Sequence, residues 1–170
     1  MEDQPPSPAE IAAAWDRELP GAATGSVGVV TPLWRAAKLL ADERRRTLER
    51  LGVDAATLDL LSTLRRSGDP WTLTTRQLAA RTLVTAGAVS QRVARAEREG
   101  LVAREASDAS RRAVAVTLTA QGHAVVERVV RDLLAHEEAL LAALSPDDRE
   151  ALGAGLTRLL AVLPGASARP

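Results

Sequence analysis

The chain has 170 residues, of which 46% are apolar and 26% are charged, so it is long enough for one domain with a sizeable core. Lysine and arginine together number 22 and the acidic residues also number 22, which excludes both a uniformly basic coat and an acidic disordered chain. The absence of cysteine excludes disulfide scaffolds, thiolate nucleophiles and cysteine-based zinc sites. No signal-peptide pattern and no apolar run of about 18 residues is present, so we expect a soluble, cytoplasmic protein.

The N-terminal part predicts two helices behind a short leader. Residues 1–8 are rich in proline and are interpreted as a disordered leader. Ser7, Pro8 and Glu10 have the residue types of an N-cap, a first helical position and a third helical position, so a short helix should follow and end before Pro20. Residues 22–31 are small and polar and predict a linker, after which residues 32–51 return to helical spacing.

Residues 53–118 have the pattern of a winged helix-turn-helix. Asp54 should cap a helix that runs to about residue 66. Two short helices, residues 75–81 and 86–99, follow with only a few residues between them, which is helix-turn-helix spacing. Period-two alternation then predicts strands over residues 101–104 and 113–118, which would form a hairpin wing.

Helices return after the wing. Thr119 and Ser145 are predicted N-caps of two helices that fill residues 119–163, and residues 164–170 form a tail. The apolar stripes of residues 9–19 and 119–163 exceed what a small winged domain can cover, so we expect these helices to dimerise. The fold class is therefore mainly α with a small β wing, in which residues 9–51 and 119–163 flank the DNA-binding domain and provide the dimer contacts.

The positive charge is concentrated in the predicted helix-turn-helix and wing. Residues 76–112 hold eight arginines against four acids, whereas the segments on both sides are slightly acidic. Such a patch favours binding to the phosphates of DNA, because each neutralised phosphate releases counterions. The alternative is that these arginines lie on helix faces exposed to solvent and bind no partner.

A family resemblance rests on three stretches of the sequence. They are Leu78–Ala79 with Thr85–Arg92, then Glu99–Arg104, then Arg111–Arg112 with Val116–Gly122. Together they resemble the MarR family of winged-helix regulators, over most of the chain. The resemblance implies a homodimer that binds a pseudo-palindromic DNA duplex as a repressor and is released by a small anionic or aromatic ligand.

The run Trp15–Pro20 is similar to the added N-terminal helix of a narrower, urate-responsive branch of that family. The branch binds its ligand through a tryptophan of the added helix, an aspartate of the helix before the helix-turn-helix and an arginine of the recognition helix. The resemblance places these roles on Trp15, Asp59 and Arg92, with a further ligand-binding arginine at Arg104. A small planar anion such as urate or a phenolic acid is the implied effector.

The chain departs from the branch at three positions. Ser110 stands where an aspartate usually precedes the wing arginines, and Ala94 and Ala96 replace the usual aspartate and leucine of the recognition helix. The first change puts the placement of the wing arginine in doubt. The other two alter the packing behind the recognition helix.

Side chains of the predicted recognition helix and wing can donate hydrogen bonds to phosphates or read base edges. The candidate DNA-binding residues are Thr85, Ser90, Gln91, Arg95, Arg111 and Arg112.

Several of the candidates have alternative roles. Trp15 can instead anchor the first helix, and Asp59 can form a surface ion pair. Arg92 can contact phosphate, pair with Asp59 or bind an anionic ligand. Trp34 and Trp71 are expected to pack in the core or at its rim.

The sequence does not predict an enzyme or a cofactor. It contains no Ser-His-Asp arrangement, P-loop or dinucleotide fingerprint. His123 and His136 lie thirteen residues apart with no third ligand at a suitable spacing, so we expect dimer contacts there and no metal site. The rival functional class is a protein-interaction module whose winged helix does not bind DNA.

Overall fold

The computed structural model describes residues 5–82, 84–106 and 114–164. Within them the chain is mainly helical with one small antiparallel sheet, which confirms the predicted fold class. The elements are α1 (Pro8–Glu18), a 3₁₀ turn (Thr24–Ser26), α2 (Val27–Leu51), α3 (Ala55–Arg65), β1 (Thr72–Thr74), α4 (Thr75–Thr82), α5 (Ala86–Arg98), β2 (Val102–Ala106), β3 (Val114–Leu118), α6 (Ala120–Leu140) and α7 (Pro146–Val162). None of the described helices is both long enough and apolar enough to cross a lipid bilayer.

The chain divides into two compact units, residues 1–46 and 47–170. The first unit contains α1 and most of α2. At the start of α1, the Ser7 hydroxyl accepts a hydrogen bond from the Glu10 N–H, and the Glu10 carboxylate accepts one from the Ser7 N–H. This capping box satisfies two backbone donors at the helix start, as the sequence predicted.

The predicted linker over residues 22–31 is wrong in its second half, because α2 begins at Val27. Pro32 lies inside the helix. A proline near the start of a helix removes a single backbone hydrogen bond, here the one to Gly28, so it marks no boundary by itself. Glycine and β-branched residues, such as Gly28, Val29 and Val30 here, lower helix propensity without preventing a helix.

The second unit contains the hydrophobic core. It forms where α3, α4 and α5 pack against the sheet and α6. Its most deeply buried side chains are Leu61, Leu64, Leu78, Val89, Val93, Val116, Val126 and Val129.

The sheet has three strands in the order β1-β3-β2, and both pairings are antiparallel. Val102 pairs with Leu118 in the β2–β3 hairpin, which confirms the predicted wing strands to within two residues at each end. β1 was not predicted, since three residues are too short to show an alternating pattern. It is held to β3 by its backbone ladder and by a hydrogen bond of 2.7 Å between the hydroxyls of Thr72 and Thr117.

The chain turns from α5 into the wing at Gly100, whose φ is +71°. The Gly100 N–H donates to the carbonyl of Glu97, and the Leu101 N–H donates to that of Ala96. This pair of bonds is the Schellman arrangement, which favours glycine because the residue has a left-handed conformation.

The N-terminus of α6 packs directly on this turn. The Thr119 N–H donates to the carbonyl of Leu101, and the Thr119 hydroxyl caps the helix by accepting from the Gly122 N–H. Gly122 lies so close to Leu101 that a Cβ atom added to it would lie 2.0 Å from the Leu101 carbonyl oxygen. Only glycine permits this approach of the two backbones.

Trp71 and Trp34 differ in their surroundings. Trp71 packs against the core, with the imidazole of His123 edge-on at 4.5 Å and the guanidinium of Arg65 at 5.4 Å from its ring. His123 therefore packs inside the chain, a role that was not predicted for it beside the expected dimer contact. The expectation for Trp34 is wrong for a single chain, because its side chain is 70% exposed.

Candidate nucleic-acid interface and effector site

The helix-turn-helix is formed by α4 and α5, as predicted. Thr85 caps α5, since its hydroxyl accepts a hydrogen bond from the Ala88 N–H. The wing strands β2 and β3 follow, and the wing tip with Arg111 and Arg112 lies outside the described residues.

The face of α5 opposite the core is exposed. Val89, Val93 and Ala96 are buried, and Gln91 lies two residues after Val89, which is about 200° round the helix. Arg98 lies seven residues after Gln91 and so shares its face. Arg98 was not among the predicted DNA-binding residues, although its spacing of two turns from Gln91 was visible in the sequence.

The predicted polar side chains near the start of α5 are also exposed. The Ser90 hydroxyl donates to the carbonyl of Ala86, which leaves its oxygen lone pairs available. The Thr85 hydroxyl accepts in the cap and keeps its proton as a donor. Thr85, Ser90 and Gln91 can therefore take part in further hydrogen bonds from the N-terminal half of the helix.

Asp59 and Arg92 are brought together from α3 and α5. An Arg92 guanidinium N–H donates to Asp59 Oδ2 at 2.8 Å. The side chain of Asp59 is 42% exposed and that of Arg92 is 26% exposed, so the pair lies at the rim of the core and is accessible to solvent. This confirms the ion pair that the sequence left as one alternative for both residues.

Arg95 was predicted to contact DNA, but its guanidinium is engaged by two acids of the same chain. It lies 3.1 Å from Asp54 Oδ2 and 2.9 Å from Glu99 Oε1. These groups line a cleft of about 300 Å³ between the end of α5 and α6, whose far side includes Val125 and Arg128.

Arg104 does not join the pair of Asp59 and Arg92. Its guanidinium donates to the carboxylate of Glu97, and this hydrogen bond lowers the pKa of Glu97. Glu97 lies five residues after Arg92, which places it about 140° further round α5. The structure thus puts Arg104 on the other flank of the recognition helix.

Trp15 lies on α1 in the first unit, with a side chain that is 53% exposed. Its exposure means that the indole is available to pack against another group. No group of three or more potential metal ligands occurs in the part of the chain that the structure describes.

Asp54 caps α3 as predicted, and it is more heavily bonded than a simple cap. Its carboxylate accepts hydrogen bonds from the N–H groups of Ala56 and Thr57 and from the Thr57 hydroxyl, in addition to pairing with Arg95. Burial alone would raise the pKa of Asp54, but the bonds from Thr57, the charge of Arg95 and the bond from Ala56 outweigh it and lower the pKa below 3.8.

Asp54→Ala is expected to lower the free energy of unfolding by about 1 kcal/mol at neutral pH, the usual effect of losing an N-cap. Because folding lowers the pKa of this carboxyl, its stabilisation is present above pH 3.8 and is lost as the pH falls below that value. Urea unfolding of the wild type and the variant between neutral and acidic pH measures both effects. Asp54→Asn is the control, since it keeps a capping oxygen and should lose less. Equal stability of Asp54→Ala and the wild type at neutral pH would contradict the assignment.

Comparison with known proteins finds a family model that resembles the helix-turn-helix segment. The model of the MarR family matches residues 51–113. This segment is therefore similar to the winged helix of that family. It contains α3, β1, α4, α5 and β2, together with the Asp59–Arg92 pair.

MarR-family proteins are also similar to the chain over most of its length. The transcriptional regulator PecS of Dickeya dadantii (strain 3937) is 27% identical over 150 residues, which are 88% of this chain and 90% of that protein. Sco3205 of Streptomyces coelicolor, a MarR family transcriptional regulator solved in complex with DNA, is 28% identical with a TM-score of 0.67, over 82% of this chain and 92% of the other. The apo form of wild-type MarR from E. coli is 25% identical with a TM-score of 0.62, over 76% and 96% of the two chains. These MarR-family relatives are transcription regulators, not enzymes.

Proposed function

We propose that the chain is a DNA-binding transcription regulator that inserts α5 into the major groove. The observation that carries the proposal is the exposed face of α5, where Gln91 and Arg98 stand opposite the buried Val89 and Val93. Thr85 and Ser90 add hydroxyls at the N-terminal end of the helix, where recognition helices contact base edges. The complex of Sco3205 with DNA supports DNA as the partner.

We further propose that two chains act together as a homodimer. The helices outside the winged domain expose large apolar side chains, which a second copy would cover. These include Val29, Trp34 and Leu39 on α2, Leu134 and Leu140 on α6, and Leu152, Leu156 and Leu160 on α7.

The wing arginines Arg111 and Arg112 are assigned to the DNA backbone or minor groove on the strength of the sequence alone.

A dimer of this kind predicts the form of the operator. Two recognition helices about one helical turn apart, or roughly 34 Å, require a pseudo-palindrome whose half-sites are about 10 base pairs between centres. Footprinting on the DNA next to the chain's own gene, combined with light scattering, measures both the protected sequence and the number of chains bound. Protection of one asymmetric half-site by a single chain would contradict the dimer. A folded protein that protects no duplex would favour the protein-interaction module.

The proposed regulation is repression relieved by a small anionic or aromatic ligand. Arg92 supplies a cation at a partly exposed position on the recognition helix, and Asp59 holds it to α3. An anion that competes with Asp59 for Arg92 would change how α5 is held, and so its fit to the groove. Trp15, by the family resemblance, forms the aromatic wall. By the same resemblance, Asp59, Arg92 and Arg104 are the other proposed ligand-binding residues, and the guanidinium of Arg104 is paired with Glu97 in the unliganded chain.

A further inference from the structure

Residues 76–106 contain six arginines, and the structure separates them into two groups. Arg92, Arg95 and Arg104 each pair with carboxylates of the same chain, which belong to Asp59, to Asp54 and Glu99, and to Glu97. The other three, Arg76, Arg81 and Arg98, are exposed and form no ion pair with any described residue.

The unpaired arginines are exposed at the surface of α4 and α5. Arg98 shares the outer face of α5 with Gln91. Arg76 lies two residues before the buried Leu78, which places it about 200° round α4 from the core. Arg81 is exposed in the last turn of α4, just before the turn that leads to α5.

An ion pair within the chain weakens the attraction of a guanidinium for phosphate. A guanidinium that already faces a carboxylate has its charge compensated, and leaving that partner for a phosphate would leave the acid unpaired beside the DNA. An uncompensated guanidinium neutralises a phosphate and releases the counterions condensed there. The net positive charge of this segment that remains available to phosphate is therefore that of Arg76, Arg81 and Arg98.

We propose that Arg76, Arg81 and Arg98 are the phosphate-contacting cations of this helix-turn-helix, while Arg92, Arg95 and Arg104 make no phosphate contact. The inference rests on the proposed function as a DNA-binding protein. It assigns the phosphate contact of α5 to Arg98 and not to Arg95, which was predicted to bind DNA. It also adds two phosphate contacts from α4.

The test is the salt dependence of binding to a labelled duplex of random sequence, measured by fluorescence anisotropy between about 50 and 200 mM salt. Each lost phosphate contact lowers the slope of log K against log[salt] by about 0.9 per bound chain. Arg76→Gln, Arg81→Gln and Arg98→Gln should each lower the slope by this amount. Arg95→Gln and Arg104→Gln should leave it unchanged.

Lys38→Gln is the matched control, because it removes one exposed positive charge from α2, outside the helix-turn-helix. Its slope should equal that of the wild type. Circular dichroism establishes that each variant is folded, and Arg104→Gln keeps the paired group represented if Arg95→Gln does not fold. An unchanged slope for Arg98→Gln, or equal decreases for Arg95→Gln and Arg98→Gln, would overturn the inference while leaving DNA binding intact. Absence of salt-dependent binding by the wild type would instead reject the proposed function.

Discussion

Gly122→Ala is expected to lower the free energy of unfolding by about 3 kcal/mol, the largest stability effect that we predict for a single methyl group in this chain. The added Cβ would lie 2.0 Å from the Leu101 carbonyl oxygen and 3.1 Å from a methyl group of Leu118. A backbone oxygen cannot rotate away as a side chain can. The start of α6 must therefore move, which also strains the bond from the Thr119 N–H to Leu101.

Thermal unfolding followed by circular dichroism measures this effect, and a loss of this size corresponds to a midpoint about 6–12 °C lower. Gly155→Ala is the matched control, because Gly155 also lies within a helix and an added Cβ would meet no atom within 4 Å. That substitution should stabilise the chain by up to about 1 kcal/mol through helix propensity. Similar midpoints for the two variants would show that α6 does not pack on the Leu101 carbonyl as described.

The second large effect concerns the proposed effector. Arg92→Gln is expected to weaken binding of a small planar anion by about 10- to 150-fold, which corresponds to the loss of a charge-assisted hydrogen bond of about 1.5–3 kcal/mol. The fold should survive, because a partly exposed ion pair such as the one with Asp59 contributes only about 0–1 kcal/mol. Titration of the DNA complex with urate and with a phenolic acid gives the concentration needed for release.

Two further variants separate the ligand role from DNA binding. Asp59→Asn keeps the shape of the side chain and lies on α3, outside the helix-turn-helix, so it should retain DNA binding while shifting the releasing concentration. Trp15→Phe should shift that concentration as well, whereas Trp34→Phe, a second exposed tryptophan of the N-terminal helices, should not. If Trp15→Phe and Asp59→Asn both release at the wild-type concentration, the pocket lies elsewhere. If neither compound releases the wild type, this class of effector is rejected.

Most of the local structure could be predicted from the sequence. The predicted N-caps Ser7, Asp54, Thr119 and Ser145 each accept a backbone hydrogen bond, and so does Thr85, for which no cap was predicted. A cap is decided by residues within three or four positions, so its signal is contained in a short stretch of sequence. Helix and strand periodicity is equally local, which is why the helix-turn-helix and the wing strands were placed correctly.

The candidate site was predicted less completely. The pair of Asp59 and Arg92 was anticipated as one alternative, but the partners of Arg95 and Arg104 were not. Asp54 and Arg95 are separated by forty-one positions, and no periodic pattern connects residues so far apart.

The sequence by itself determined the order of the helices, the starting points of all of them except α2, the wing strands and the concentration of arginine over residues 76–112. Only the tertiary structure decided which of those arginines are compensated, where the short strand β1 pairs, and why position 122 must be glycine. The physical reason is the same in all three cases. Helix and strand patterns arise from interactions between near neighbours in the chain, whereas ion pairs, strand partners and close backbone contacts depend on segments that meet only when the chain folds.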